Sequence, residues 1–242
     1  KFVTMWAIPP TASPGTPTTL MIPLQSSPWA DYTIDWGDGS AEETFSPNQP
    51  AGVFPAHNYT AGGPRSISVG GYVVTWGFPE ETTPVPDGLY DSLSRLVAVQ
   101  AWGNFGTNDV GGYFKQCRSL ETLPVEPPEG GWVGSLASMF ASASSFNGDI
   151  GGWDVSRVVD MANMFQGASE FNQDLGDWDV SQVADMGNMF SSATEFNGDI
   201  GGWDVSGVVH MDGIFSFAYA FDRPIGNWDV SGIDSTKFMF YS

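Results

Sequence analysis

Aspartate recurs at two positions of a 25-residue spacing in the second half of the chain. The first column contains Asp149, Asp174 and Asp199, and the second contains Asp154, Asp179, Asp204 and Asp229. If the repeats stack, each column becomes a line of carboxylates about 5 Å apart, and neighbours repel by roughly 1 kcal/mol in water. Such carboxylates can accept backbone N–H groups in turns or at helix caps, bind bridging Ca²⁺ through oxygen, or supply the acid and base of a glycosidase.

The calcium alternative takes the first column, Asp149, Asp174 and Asp199, as candidate metal ligands, and Ca²⁺ is then the only cofactor. The glycosidase alternative is the weakest, because a repeated column offers several equivalent carboxylates whereas catalysis needs one differentiated pair. The sequence contains no G-x-S-x-G, H-E-x-x-H or phosphate-loop motif. We therefore predict that the protein is not an enzyme.

A tryptophan precedes each aspartate of the second column. These paired residues form the predicted binding face, which consists of Trp153, Asp154, Trp178, Asp179, Trp203, Asp204, Trp228 and Asp229. Two interpretations of the tryptophans stay open. Each indole packs on the indole of the next repeat, or the indoles form an exposed aromatic stripe for a ligand such as a sugar.

The two histidines do not suggest a metal site. His57 lies in an H-N-Y segment, and His210 occupies a polar repeat position that holds Asp160 and Asp185 in other copies. Neither has a cysteine or a second histidine at the spacing of a zinc site. We expect a structural hydrogen-bonding role for His57 and a solvated position for His210.

The charge of the chain excludes several classes of partner. Among 242 residues there are 8 Lys and Arg against 28 Asp and Glu, so the formal charge is −20. This charge repels phosphate backbones and anionic lipid, and we predict no nucleic-acid partner. A single cysteine, Cys117, permits no internal disulfide and is interpreted as a small buried residue. No apolar run is long enough to cross a bilayer as a helix, so no transmembrane segment is predicted. The start at Lys1 suggests a mature or trimmed product.

The elements that position these residues are repeats. The unit is W-D-V-S-x-V-x-x-M-x-x-M-F-x-x-A-x-x-F-N-x-D-[IL]-x-x. Val158, Met161, Phe165 and Ala168 recur at helical spacing, which predicts a short helix with Ser156 as its N-cap. The W-D-V segment predicts a short strand, and the asparagine after each Phe predicts a ladder between repeats. We read this as a leucine-rich-repeat-like α/β solenoid with 25-residue units.

The amino-terminal part lacks the period. Strands are predicted at residues 2–8, 19–22, 32–36 and 67–74, with a hairpin turn at Asp35–Ser40, and together they indicate a β-sandwich. The predicted domains are a β-sandwich over 1–78, a linker and cap over 79–97, and the solenoid over 98–242.

Two known families resemble these parts. D-W-G-D-G-S at 35–40, H-N-Y at 57–59 and G-x-x-x-I-x-V-x-G at 63–71 resemble the immunoglobulin-like PKD module, and the 25-residue unit resembles BspA-like leucine-rich-repeat surface proteins of bacteria. The resemblance implies an extracellular or cell-surface location and adhesion to a protein or glycan of a host or neighbouring cell. It supplies no catalytic residues.

The leading hypothesis is therefore a non-enzymatic surface protein that mediates adhesion through its repeats. The alternative is a self-assembling subunit of a filament or particle coat, because the chain stops within a repeat at residues 240–242 and an apolar last coil could stack on another copy. A carbohydrate-active enzyme is the third hypothesis.

Overall fold

We describe a computed structural model of the chain over residues 1–10, 17–25, 31–46, 54–71, 75–76, 88–103 and 111–242. These residues form eleven strands and one short helix. They are β1 (Phe2–Ile8), β2 (Thr18–Met21), β3 (Leu24–Gln25), β4 (Tyr32–Asp35), β5 (Glu43–Phe45), β6 (Ala56–Tyr59), β7 (Gly63–Gly70), β8 (Thr75–Trp76), α1 (Leu89–Leu93), β9 (Leu96–Ala101), β10 (Gly134–Ser135) and β11 (Val158–Asp160).

The amino-terminal strands form an antiparallel sheet in the order β5-β4-β7-β1-β9. Alternate residues of β1, including Phe2, Trp6 and Ile8, are buried, as expected for a strand with one face on a core. The predicted hairpin is present, since β4 pairs with β5 across the turn. Two smaller pairs, β2–β6 and β3–β8, accompany the sheet. The predicted strand at 67–74 ends at Gly70, and residues 72–74 and residues 79–87 of the predicted linker lie outside the described residues.

Strand β9 connects the sheet to the repeats. One edge pairs with β1, where Val3 lies opposite Ala101. On the other edge, the Val99 N–H donates to the Thr122 carbonyl at 3.1 Å, and the Glu121 N–H donates to the Val97 carbonyl at 2.8 Å. One contiguous apolar core runs from the sheet into the repeats. The predicted boundary at 97/98 falls inside β9, and the division into domains stays a prediction.

The predicted fold class is wrong for the repeats, which do not form an α/β solenoid. The only helix among the described residues is α1, which has five residues and precedes the repeats. The segment that predicts a helix, from Val158 to Ala168, consists of strand β11 followed by turns. Its backbone adopts left-handed φ angles at Asn163 (58°) and Gly167 (70°), and each of these residues interrupts a right-handed turn.

Backbone hydrogen bonds explain why turns replace the helix. Alternate N–H groups, those of Asn163, Phe165 and Gly167, donate to carbonyls of the next repeat, at 2.8 Å each. The N–H groups between them bond locally, as from Met164 to the Met161 carbonyl at 3.2 Å. An α-helix would consume all of these donors internally, so the contacts between repeats and a helix exclude each other.

The predicted strand and N-cap are also misplaced. No strand is found at W-D-V in the described repeats, and parallel pairing instead involves Val158–Asp160 and the isolated bridges that join Asp160, Asp185, His210 and Ser235. Ser156 caps no helix, because its N–H and hydroxyl both donate to Asp154 Oδ1. The extended segment therefore begins later in the unit than the sequence suggests.

The predicted core columns are confirmed. The Met, Phe and Ala columns from residue 139 to 215 are buried, and Phe rings of neighbouring repeats stack at 5.4–5.9 Å. The asparagine ladder is confirmed as well. The N–H of Asn172 donates to Asn147 Oδ1 at 3.0 Å, that of Asn197 donates to Asn172 Oδ1 at 2.8 Å, and that of Asp222 continues the ladder. Cys117 is buried within the same core.

Candidate binding surfaces

The second aspartate column forms an exposed row of carboxylates. In each repeat, Oδ1 of the aspartate accepts the N–H of the serine two residues later, at 3.0–3.1 Å. In the first three repeats it also accepts that serine's hydroxyl, at 2.6–2.7 Å. We call Asp154, Asp179, Asp204 and Asp229 the aspartate row. The local Asx turn fixes each carboxylate in the same orientation.

The same bonds keep the row ionised. The Ser181 hydroxyl and N–H hold the pKa of Asp179 below its usual range, although the charges of Asp154 and Asp204 act in the opposite direction. The pKa of Asp204 is lowered by Ser206 in the same way. The row therefore presents identical negative charges at the repeat spacing, without the raised pKa that a general acid requires.

The first column, Asp149, Asp174 and Asp199, is also exposed and also caps turns. Each Oδ1 accepts the N–H of the glycine two residues later, at 3.1–3.2 Å. Asp174, Asp177 and Asp199 line an open groove of about 320 Å³ together with Gly151, Gly176 and Gly202. In the part of the chain that the structure describes, no cluster of three His, Cys, Asp or Glu side chains could hold a metal ion. The calcium site stays a prediction.

The structure buries the tryptophans of the predicted binding face. The indole of Trp203 stacks on those of Trp178 and Trp228 at 6.5 and 6.4 Å. Three of the four indole N–H groups donate to a backbone carbonyl of the preceding repeat, as from Trp203 to the Leu175 carbonyl at 2.9 Å. The fourth, Trp153 Nε1, is buried without a hydrogen-bond partner among the described residues. The indoles therefore pack between repeats, and the exposed part of the face is the aspartate row.

His57 lies in a hydrogen-bonded cluster of the amino-terminal sheet. Its Nε2 is 2.9 Å from Asp38 Oδ2, its Nδ1 is 3.5 Å from Glu43 Oε1, and its ring stacks on Trp36 at 5.0 Å. Ser40 and then His57 hold the pKa of Asp38 well below its usual range. Since Asp38 also accepts the Ser40 N–H, the cluster closes the D-W-G-D-G-S turn, which agrees with the structural role expected for His57. His210 is exposed, as expected.

A second surface was not predicted. Near the carboxyl end of the described chain, a shallow groove of about 580 Å³ is lined by polar groups and exposed rings. Its lining is Asn188, Asp212, Gly213, Ser216, Lys237, Phe238 and Tyr241. We call this the aromatic groove. A signal was present in the sequence, because Phe238 interrupts a column that otherwise holds Ser138, Asn163, Asn188 and Gly213.

Comparison with known proteins adds one finding. Residues 108–206 and 173–242 match a family described as Mycoplasma protein of unknown function, DUF285. The two matches overlap and together span more than half of the 242 residues, including every described repeat from Gly111 onward. No curated protein and no solved structure matches the chain. Within the described residues, no helix is long and apolar enough to span a bilayer.

Proposed function

We propose that this protein, which belongs to the DUF285 family, is a non-enzymatic, extracellular binding module. In this proposal the aspartate row contacts a basic surface of a partner protein. The observation that supports this is the row itself. Four equivalent carboxylates are exposed, ionised and held by local hydrogen bonds, so little side-chain entropy is lost when a partner orders them. The extracellular location belongs to the proposal and rests on the sequence resemblance.

Stacking of the repeats makes the row rigid. The N–H groups of one repeat bond the carbonyls of the next, and the Phe and Trp rings stack across every interface from Phe165 to Trp228. A row on such a support meets a partner across several repeats at once, which is how stacked-repeat proteins generally bind. The charge of −20 favours a basic partner and opposes association between two copies of the chain.

The test compares two variants of equal charge. In Asp179→Asn/Asp204→Asn, the amide oxygens still accept the serine N–H groups, so the turns persist while two charges of the row are removed. The control, Glu126→Gln/Glu129→Gln, removes two exposed carboxylates outside the row. Both are compared with the unmodified chain in binding to a 20-residue peptide of alternating lysine and glycine, by interferometry between 20 and 300 mM NaCl.

We expect the row variant to weaken binding several-fold at low salt and to flatten its salt dependence, whereas the control has a smaller effect. An equal loss in both variants would show that only net charge matters and would refute the row as the contact surface. Binding of neutral glycans in preference to the basic peptide would refute the basic protein partner. Biotinylation of intact cells that make the protein tests its location, and labelling only after lysis would contradict a surface position.

A further inference from the structure

Four exposed aromatic residues break the repeat pattern and lie together in space. They are Phe217, Tyr219, Phe238 and Tyr241. Tyr241 lies edge-on to Phe217 at 5.3 Å and to Phe238 at 5.7 Å, and Phe217 contacts Tyr219 at 6.2 Å. Tyr219 and Phe238 are 68% and 67% exposed. We call these four rings the aromatic cluster, which shares Phe238 and Tyr241 with the aromatic groove.

Small or polar residues occupy the same positions in the other repeats. The counterparts are Ser142, Gly167 and Ser192 for Phe217; Ser144, Ser169 and Thr194 for Tyr219; Ser138, Asn163, Asn188 and Gly213 for Phe238; and Ala141, Gln166, Ser191 and Ser216 for Tyr241. Asn163 and Asn188 are half-buried although repeats cover them on both sides. Ser138 and Gly213 of the same column are buried, so Phe238 is the most exposed member of its column.

Two of these rings occur where the backbone disfavours them. Phe217 and Phe238 both have φ of 56°, in the left-handed region that suits glycine and asparagine and is an outlier for bulky residues. Their counterparts with left-handed φ include Gly167, Asn163 and Asn188, which are of the tolerant types, and also Ser138, Ser142 and Ser192. The left-handed positions of these two columns therefore hold small or amide side chains in the other repeats, and Phe217 and Phe238 place exposed rings there instead.

The repeat that carries Phe217 and Tyr219 also contributes an acidic group to the aromatic groove. Asp212 replaces Ala162 and Gly187 of its column. Its Oδ1 accepts the Ser235 hydroxyl and the Lys237 N–H, which orients the carboxylate and leaves Oδ2 without a hydrogen-bond partner among the described residues. The groove thus combines flat apolar rings with a fixed anionic acceptor, and the Asn188 and Ser216 side chains lie beside them.

We propose that the aromatic groove and cluster bind arginine side chains in an extended basic segment of the partner protein. A guanidinium group stacks on aromatic faces and also pairs with carboxylates, and the groove is lined by both kinds of group, the rings of Phe238 and Tyr241 and the carboxylate of Asp212. Charge decides between occupants, because the chain carries −20 and repels both anionic ligands and a second copy of itself. This inference rests on the proposed function, in which the partner presents a basic surface, and it adds a second contact to the aspartate row.

The experiment uses the full chain and three nine-residue peptides. Each has the sequence Gly-Ser-Gly-X-Gly-X-Gly-Ser-Gly, in which X is arginine, lysine or citrulline, the last being a neutral group of similar shape to arginine. Affinities are measured by calorimetry, and ring contacts are followed through the NMR signals of Tyr219 and Tyr241. We expect the arginine peptide to bind best, with the citrulline peptide at least about fivefold weaker, because cation–π attraction and the carboxylate pair both need the charge.

The variants restore residues that the repeat itself uses. Phe217→Ser/Phe238→Asn should weaken binding of the arginine peptide about fivefold or more while the melting temperature changes little, because asparagine tolerates the left-handed backbone at 238 and serine already occupies the position of Phe217 in two other repeats. Lys237→Gln should strengthen binding about twofold, because it removes a like charge from the groove. Val159→Thr changes an exposed apolar residue elsewhere on the repeats and serves as the control, with no expected effect.

Each outcome has a defined meaning. Equal affinity for arginine and citrulline peptides would overturn the cationic ligand and would favour a neutral occupant such as a glycan. Unchanged affinity in Phe217→Ser/Phe238→Asn would overturn this site. If Asp179→Asn/Asp204→Asn still weakens binding of the lysine–glycine peptide in that case, the proposed function stands without the aromatic contact. Loss of that effect as well would refute both.

Discussion

Substitutions at Asn163 distinguish the turn from the helix that the sequence predicts for the same segment. Asn163 has φ of 58°, is half-buried, and donates its N–H to the Gly187 carbonyl at 2.8 Å. We compare Asn163→Ala with Asn163→Gly. In the left-handed region, alanine suffers a steric contact between Cβ and the backbone carbonyl that glycine avoids and asparagine tolerates.

The magnitude follows from that contact. The left-handed conformation costs an ordinary L-residue roughly 1–2 kcal/mol, and part of this is recovered because alanine restricts the unfolded chain more than glycine does. We expect Asn163→Gly to be about 1 kcal/mol more stable than Asn163→Ala, and close to the unmodified chain. A helix would reverse the order, because glycine is about 1 kcal/mol less favourable than alanine within one. The difference in unfolding free energy between the glycine and alanine variants is therefore about 2 kcal/mol apart for the left-handed turn and for the helix.

Urea unfolding followed by tryptophan fluorescence measures the difference, provided that the slopes with denaturant agree among variants. Gln182, which is exposed and does not have a positive φ, provides the control. At this position alanine should be the more stable of the two substitutions, by a few tenths of a kcal/mol. If Asn163→Ala proves at least as stable as Asn163→Gly, the left-handed turn and the hydrogen-bond scheme built on it are refuted.

Three further predictions concern the core, a buried thiol and a capped carboxylate. Phe190→Ala should destabilise the chain by about 3–5 kcal/mol in urea unfolding, because Phe190 is fully buried and stacks on Phe165 and Phe215. Phe240→Ala in the same column should cost under about 1 kcal/mol because that ring is exposed. Similar losses of stability in the two variants would contradict the core assignment. Burial raises the pKa of the Cys117 thiol, so a thiol reagent should label it only after unfolding, and rapid labelling of the native chain would show that the position is accessible. Since Ser40 and His57 lower the pKa of folded Asp38, its stabilisation is fully present above the unfolded pKa of about 3.9 and is lost progressively as the pH falls from there toward the folded pKa. Asp38→Asn should therefore melt lower than the unmodified chain at pH 7, by a gap that narrows progressively below about pH 4, and a gap that does not change with pH would refute this linkage.

The interior of the repeats was predictable because burial has a simple signature in sequence. Phe165 and Phe190 occupy the same position of consecutive repeats as large apolar residues, and water is excluded from any arrangement that stacks the copies. The Asn172–Asn197 ladder was predictable for a related reason. An amide at a fixed position of a turn has both a donor and an acceptor to offer the next copy.

Secondary structure was not predictable from the same pattern. Residues at i, i+3 and i+7 share a face in an α-helix, and they also share a face when single turns follow one another at the same spacing. The choice depends on where the backbone donors go. The Phe165 N–H bonds the Met189 carbonyl of the next repeat, and that partner is available only after the repeats have stacked.

The candidate surfaces were likewise predictable from the sequence only in part. Asp179 was singled out from sequence, but its exposure and its bonds from Ser181 emerged only from the turn. Trp203 was placed on the same face, yet its indole points inward because stacking on Trp178 and Trp228 removes it from water. The aromatic groove was missed although Phe238 interrupts a column of small and amide residues, because only the structure shows that the rings of Phe217 and Phe238 are exposed.

The sequence by itself determined the repeat period, the apolar columns, the asparagine ladder and the strong negative charge, because each depends on residue type and spacing alone. Only the tertiary structure decided that the units are turns, that the indoles lie inside, and that four aromatic rings meet on the outside. The physical reason is that the backbone N–H groups and the indole rings find their partners in neighbouring repeats, a full repeat away along the chain. The sequence pattern within one repeat does not specify which of these hydrogen bonds and ring contacts form between repeats.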